Sequence, residues 1–236
     1  MNSALHIITL YSHDDLNVST LYSFLRSFSQ CDGIQLHIIE IANSIDQFSL
    51  VIDSKYKHYK IISPTLFPKN QQKELLNNVL QSFLPYHWKY MTYCDYTISF
   101  SSMDWITKVK SLFDQKYPVD LIQLYSTSRH INSHNLPIKY QKGLIYSIIE
   151  FQSNNGEMGY AWACSRKGYH YLNHYFHLLF TFYHPLMNQK VELDEEEEKI
   201  ETIEYQNFLQ NTKNLTYTYI HQLITIKENE EIELFF

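Results

Sequence analysis

The chain has 236 residues, 44% hydrophobic and 16% aromatic, with a formal net charge of -6. That composition specifies a packed core rather than a disordered chain. The acidic balance, without any basic stripe, argues against duplex nucleic acid and an anionic membrane surface as partners.

The first element predicted is a strand at 4–12, "ALHIITLYS", a short apolar run too β-branched and too poor in basic flanks for a signal peptide. A helix over 15–31 follows, with Leu16, Leu21, Phe24, Leu25 and Phe28 near helical spacing, Asp14 or Asp15 as cap and Cys-Asp-Gly as stop. "IQLHIIEIA" (34–42) is a second strand with Glu40 near its end. Strand, helix, strand is the opening of an α/β domain with a parallel sheet. Short strands are expected in 48–54 and 57–63, then a proline-punctuated loop and a helix over 69–84. "WKYMTYCD" (88–95) is the next strand, 104–115 a helix that Asp104 caps, and 119–126 a further strand.

Residues 127–155 read as polar and irregular, with 143–151 as a strand inside them. A strand at 159–165 leads into an aromatic-rich helix over 166–183. The run Asp194 to Glu198 is acidic throughout and reads as a solvated face. Residues 215–228 alternate as one strand. The expectation is one α/β domain over 1–236, with a core at 4–183, an acidic segment at 191–205 and a C-terminal strand region at 215–228. No run approaches the roughly 18 apolar residues that span a bilayer.

Five glycines cannot furnish a Gly-x-Gly-x-x-Gly or a P-loop in the right places, and no Gly-x-Ser-x-Gly elbow is present. Cys31, Cys94 and Cys164 stand apart and form no Cys-x-x-Cys pair, so they read as reduced thiols of a cytosolic protein rather than zinc ligands. His170, His174 and His177 have helical spacing but lack His-Glu-x-x-His, and read as one aromatic-rich face. Asp95 is better placed. It ends a buried strand, where α/β sheets bind their ligands, together with Tyr11, Ser12 and Glu40. By itself it is equally a turn-forming Asp.

The order of pieces resembles GT-A type glycosyltransferases, in particular a glycosyltransferase family 2-like group of bacteria and large viruses. The likeness rests on Phe67, Lys69, Leu75, Leu76, Asn77, Leu84, Pro85, Trp88, Tyr90, Asp95, Ile98, Phe100 and Trp105, and on "GYAWACSRKGYHYL" (159–172). It implies a GT-A-like, Rossmann-like fold: a mostly parallel central sheet flanked by helices. It implies transfer of a sugar from a UDP- or GDP-linked donor to a glycan, lipid or protein acceptor, in the cytoplasm, or the host cytoplasm if the chain is viral. Thr9 to Ser12 (Thr9, Tyr11, Ser12) and Glu40 would meet the nucleoside, Lys69 and Asp95 the rest of the donor. Trp162 and Arg166 would lie on the acceptor side. Asp95, Thr97 and His221 would hold Mn²⁺ or Mg²⁺, and Glu157 or Glu150, near the "GYAW" stretch, would serve as base. The chain departs from the family pattern at Tyr96 and Thr97, where a small residue and a second Asp are usual, at Asn70, where an acid follows the Lys, and in having no second His near His221. A non-catalytic binding or scaffold relative is the alternative.

Overall fold

The computed structural model describes residues 4–12, 18–62, 82–157, 159–172 and 215–227. Strands β1 (Leu5–Ser12), β2 (Ile34–Ala42) and β3 (Lys57–Ile62) run parallel, with helix α1 (Val18–Ser27) between the first two. β4 (Tyr90–Cys94) pairs parallel to β1 on its other side. Beyond it lie β9 (Ala161–Ser165), antiparallel, then β6 (Leu121–Gln123) and β10 (Tyr217–Tyr219), whose direction is again that of β1. The seven-stranded order is β10-β6-β9-β4-β1-β2-β3. The expected mostly parallel sheet flanked by helices is therefore present.

A second sheet was not anticipated. β5 (Ile98–Phe100), β11 (Leu223–Lys227), β7 (Thr127–Ile131) and β8 (Pro137–Lys142) make it, in that order. Residues 127–142, expected to be irregular, form its β7–β8 hairpin. Residues 215–228, expected as one strand, are divided: β10 joins the large sheet and β11 the small one. Residues 144–151, expected as a strand, are helix α3 (Leu144–Phe151). Residues 48–54 are not a strand. The expected helix at 69–84 lies almost wholly outside the described residues, as do the acidic run and the chain beyond α4 (Arg166–Leu172) up to 214.

The strand pleat assigns each residue to a layer. Leu5, Ile7 and Tyr11 of β1 and Leu36 and Ile38 of β2 pack under α1 and helix α2 (Trp105–Asp114), against Phe24, Phe28, Trp105 and Val109. Ile8, Ile39, Met91, Tyr93 and Trp162 face the other way, against Leu144 and Ile145 of α3 and Tyr169 of α4. Apolar residues on both faces explain the near-continuous hydrophobic runs of the central strands. Asp104 does not cap α2 as expected: its backbone is already helical and its side chain makes no cap bond. Among the described residues no helix is long and apolar enough to cross a membrane.

Asp120 ties distant segments together. Its buried carboxylate accepts from Lys167 Nζ at 2.8 Å, Ser165 Oγ at 3.3 Å and the Thr216 N–H at 3.2 Å. Gly168 is needed beside it, because a Cβ there would come within 2.3 Å of the Asp120 carbonyl oxygen.

One polar strip lies inside the second layer. His6 Nδ1 is 2.9 Å from His37 Nε2, and His37 Nδ1 is 3.2 Å from the Tyr59 hydroxyl, on which its ring also stacks. Burial, with His6 and Lys57 adding repulsion, pushes the His37 imidazole down to about 3, and burial pushes His6 in the same direction. A depressed imidazole is neutral in the fold and charged when unfolded, so its contribution is intact above about pH 6.5 and shrinks as pH falls toward 3. Urea unfolding at pH 7.5 and pH 5 is expected to differ by about 2 kcal/mol from His37 alone. His37→Gln should remove most of that difference.

Candidate functional site

β1 to β3 are laid down in one direction across the sheet, and β4 turns back to the other side of β1. The order reverses between β1 and β4, and ligands of α/β sheets bind at such a switch point, beyond the carboxyl ends of the strands. Asp95 leaves β4 there. Its N–H donates to the Tyr160 carbonyl at 2.7 Å. Its Oδ1 accepts from the Thr97 N–H at 2.8 Å and the Thr97 hydroxyl at 2.7 Å. Asp95 and Thr97 thus close an Asx-type turn on each other. The bulky Tyr96 between them fits because its ring turns inward, to 5.6 Å from the Tyr11 ring, where both are buried.

Thr9 and Tyr11 of β1 share the α1–α2 face with Glu40 of β2, and Tyr11 pairs in register with Glu40. The structure therefore brings these sequence-predicted residues together, beneath the surface. Glu40 is fully buried and accepts from His58 Nε2 at 2.7 Å and the Leu50 N–H at 3.4 Å. The Thr9 hydroxyl is buried with no hydrogen-bond partner among the described residues. Ser12 contributes backbone at the end of β1, and Lys69 lies outside the described residues.

Sequence reading named Glu157 but missed the two residues that bond its carboxylate. Ser128 and His130 stand two residues apart on β7, hence on one face. The Ser128 hydroxyl donates to Glu157 Oε2, and His130 Nε2 lies 3.1 Å from Glu157 Oε1. Ser128 and His130 are fully buried, and the Glu157 side chain is 12% exposed. The Glu157 carbonyl accepts from Gln123 Nε2 at 2.8 Å, the Leu144 N–H at 2.9 Å and the Tyr125 hydroxyl at 3.2 Å. Its N–H donates to the Lys142 carbonyl at 2.8 Å. Burial, and then the nearby Glu157 charge, push the Tyr125 phenol far up, so it stays a neutral donor. The signal available in sequence was the Ser-x-His spacing, hidden because the stretch read as irregular.

The three side chains do not form a nucleophile triad. A triad histidine offers different nitrogens to its hydroxyl and its carboxylate. Here the same His130 Nε2 faces Glu157 and, at 3.3 Å, Ser128. Cys94 is no nucleophile either, because full burial and the adjacent Asp95 push its thiol up.

Glu157 and Asp95 are linked through Tyr160. Three residues of chain reach at most about 10 Å, so the Glu157 backbone lies within that distance of the residue that bonds Asp95. Tyr160 has φ 77, a left-handed conformation that is an outlier for a bulky residue and costs roughly 1–2 kcal/mol. Strain of this kind gathers at functional sites.

Other expected site residues lie elsewhere. Trp162 is buried in the second layer, paired across β9 with Tyr93 and Gln123, which denies it to an acceptor. Arg166 is at the opposite end of β4 from Asp95, because β9 runs antiparallel: its N–H donates to the Lys89 carbonyl and its Nη1 to the Tyr86 carbonyl. His221 is exposed beside the Tyr146 and Tyr219 rings, at 6.2 and 6.5 Å, with β6 and β9 between β10 and β4. Glu150 accepts from the Tyr219 hydroxyl at 2.7 Å, and that bond, with burial, pushes the Tyr219 phenol up to about 12. Among the described residues no three His, Cys, Asp or Glu side chains are grouped to hold a metal ion.

No family model matches the chain, and no curated protein matches it. Among solved structures it is similar to a candidate nucleotide-diphospho-sugar transferase from Desulfovibrio desulfuricans G20, with 9% identity and a TM-score of 0.44 over 97% of this chain and 82% of that one.

Replacing Glu157 with Leu leaves Ser128 and His130 facing an apolar group. The expected loss is about 2–3 kcal/mol in urea unfolding. Glu157→Gln, which keeps the shape and an acceptor oxygen, should cost less than half of that.

Proposed function

We propose that the protein is a GT-A type glycosyltransferase that moves a sugar from a nucleotide-sugar donor to an acceptor hydroxyl. The observation that carries this reading is that two carboxylates come to the switch-point end of the sheet: Asp95 in a closed turn, and Glu157, three residues before the Tyr160 whose carbonyl bonds the Asp95 N–H.

In this reading the nucleoside of a UDP- or GDP-linked sugar lies over the ends of β1 and β2. The Ser12 backbone forms the near wall, and Thr9, Tyr11 and Glu40 lie beneath it. Lys69, by its resemblance, belongs to the donor side. Asp95 faces the diphosphate. One carboxylate together with phosphate oxygens is a usual setting for Mg²⁺ or Mn²⁺, and such an ion would neutralise charge on the departing diphosphate. The Thr97 hydroxyl is turned onto Asp95 and adds little to it. Glu157 accepts the proton of the acceptor hydroxyl. That oxygen forms its bond to the anomeric carbon as the bond from carbon to the diphosphate oxygen breaks, with the electron pair leaving on the diphosphate. The donors from Ser128 and His130 fix the direction of Glu157, and a positioned base is worth about 10²–10⁴ in rate.

A second reading has a specific observation behind it. Asp95 Oδ1 is committed to the Thr97 turn, and no second Asp follows. A non-catalytic relative that binds a nucleotide sugar would need no more than this.

Calorimetric titration with UDP, GDP and UDP-glucose, each with and without Mn²⁺, separates the two. The transferase reading expects micromolar, Mn²⁺-strengthened binding of one of them. Asp95→Asn keeps the turn, since an Asn oxygen also accepts from Thr97, and should abolish the Mn²⁺ effect. Thr97→Asp should strengthen it. Glu157→Gln should leave affinity within about twofold while cutting release of the nucleotide from the donor by about 100-fold. Metal-independent binding without turnover would favour the second reading, and no binding at all would refute both.

A further inference from the structure

On the large-sheet side of Glu157, α3 and the β10–β11 connection carry a cluster of rings that the proposed chemistry does not use. Tyr146 is its hub. Its ring lies 5.0 Å from Tyr219, 5.5 Å from Phe151 and 6.2 Å from His221. Phe151 is half exposed and His221 is exposed. The rim is charged at two points: Lys142 Nζ stands 3.5 Å above the Phe151 ring, and Glu150 accepts from the Tyr219 hydroxyl.

The cluster is continuous with the candidate site. The Leu144 N–H, in the first turn of α3, donates to the Glu157 carbonyl, and the Gln123 side chain bonds both the Ile145 N–H and that same carbonyl. Tyr146 is two residues further on, about 3 Å along the helix axis. Helix α3, which carries Tyr146 and Phe151, is therefore tied to the Glu157 backbone by these hydrogen bonds.

Building on the transferase reading, we infer that Tyr146, Phe151, Tyr219 and His221 form the platform for a saccharide acceptor. A pyranose presents a flat C–H face and a rim of hydroxyls. The negative faces of aromatic rings attract the C–H face. Glu150 has lone pairs beyond the one that takes Tyr219, and Lys142 has further N–H donors, so both can meet hydroxyls. A lipid chain would want a continuous aliphatic trench, and the charged rim here does not provide one. A second copy of this chain would need a broader apolar patch than four rings.

The test is saturation-transfer NMR on the full chain with maltotriose, cellotriose and chitotriose at about 10 mM, a range suited to millimolar affinities, alongside UDP and UDP-glucose with Mn²⁺. At least one trisaccharide is expected to bind. His221→Ala and Phe151→Ser, at exposed positions that leave the core intact, should each weaken it about fivefold. Tyr146→Leu should weaken it further, with near-ultraviolet circular dichroism confirming the fold, and Tyr219→Phe should keep the ring contact. Nucleotide binding should be unchanged in all four. Absence of trisaccharide binding, or binding indifferent to these changes, overturns the platform. If the nucleotide binds and no trisaccharide does, the platform fails and the transferase reading stands. If a trisaccharide binds at these rings and no nucleotide does, the platform stands and the transferase reading fails.

Discussion

Burying Ser128, His130 and most of Glu157 takes three polar side chains out of water, and their mutual hydrogen bonds are what make that tolerable. The same bonds fix the relation of the two sheets. β7 belongs to the small sheet, Glu157 leads into β9 of the large one, and Tyr160 hands the connection on to Asp95. The small sheet is tied a second time through β11, which pairs with β5 just after the Asp95 turn. Any change that loosens Glu157 therefore acts on register and on the candidate site together.

The sheet is closed beneath its switch-point end. Tyr11 and Tyr96 meet edge to face there, both buried, and Glu40 is already engaged by His58. Aromatic contacts of this kind add about 0.5–1.5 kcal/mol beyond burial, a modest amount beside the free energy of micromolar binding, about 8 kcal/mol. A ligand can displace such a contact. A buried carboxylate with its hydrogen bonds is costlier to disturb, and in the proposed reading this leaves Glu40 beneath the site rather than in contact with a ligand.

The core and most elements of the first half were legible in the residues. β1, α1, β2, β4 and α2 lie where periodicity placed them, because both faces of the central strands are buried and leave a continuous apolar run. The second half was harder to read. "LIYSIIEF" is rich in β-branched residues and has the propensity of a strand, yet it is α3, capped at Gln152 in a left-handed conformation and packed through Leu144 and Ile145. Residues 215–228 alternate like one strand, but Ile220 donates to Gln123 in the large sheet and Ser101 donates to Leu223 in the small one, so the chain is drawn two ways.

The sequence by itself determined an α/β sheet with apolar faces, an acidic residue at the end of β4, and Thr9, Tyr11 and Glu40 on adjacent strands, because pleat and periodicity are local properties of the chain. Only the tertiary structure decided that Arg166 faces the far end of the sheet and that Ser128, His130 and Glu157 converge. Those outcomes depend on strand direction and on contacts between residues 29 apart (Ser128 and Glu157) and 80 apart (Arg166 and Tyr86), and local propensity carries no information about either.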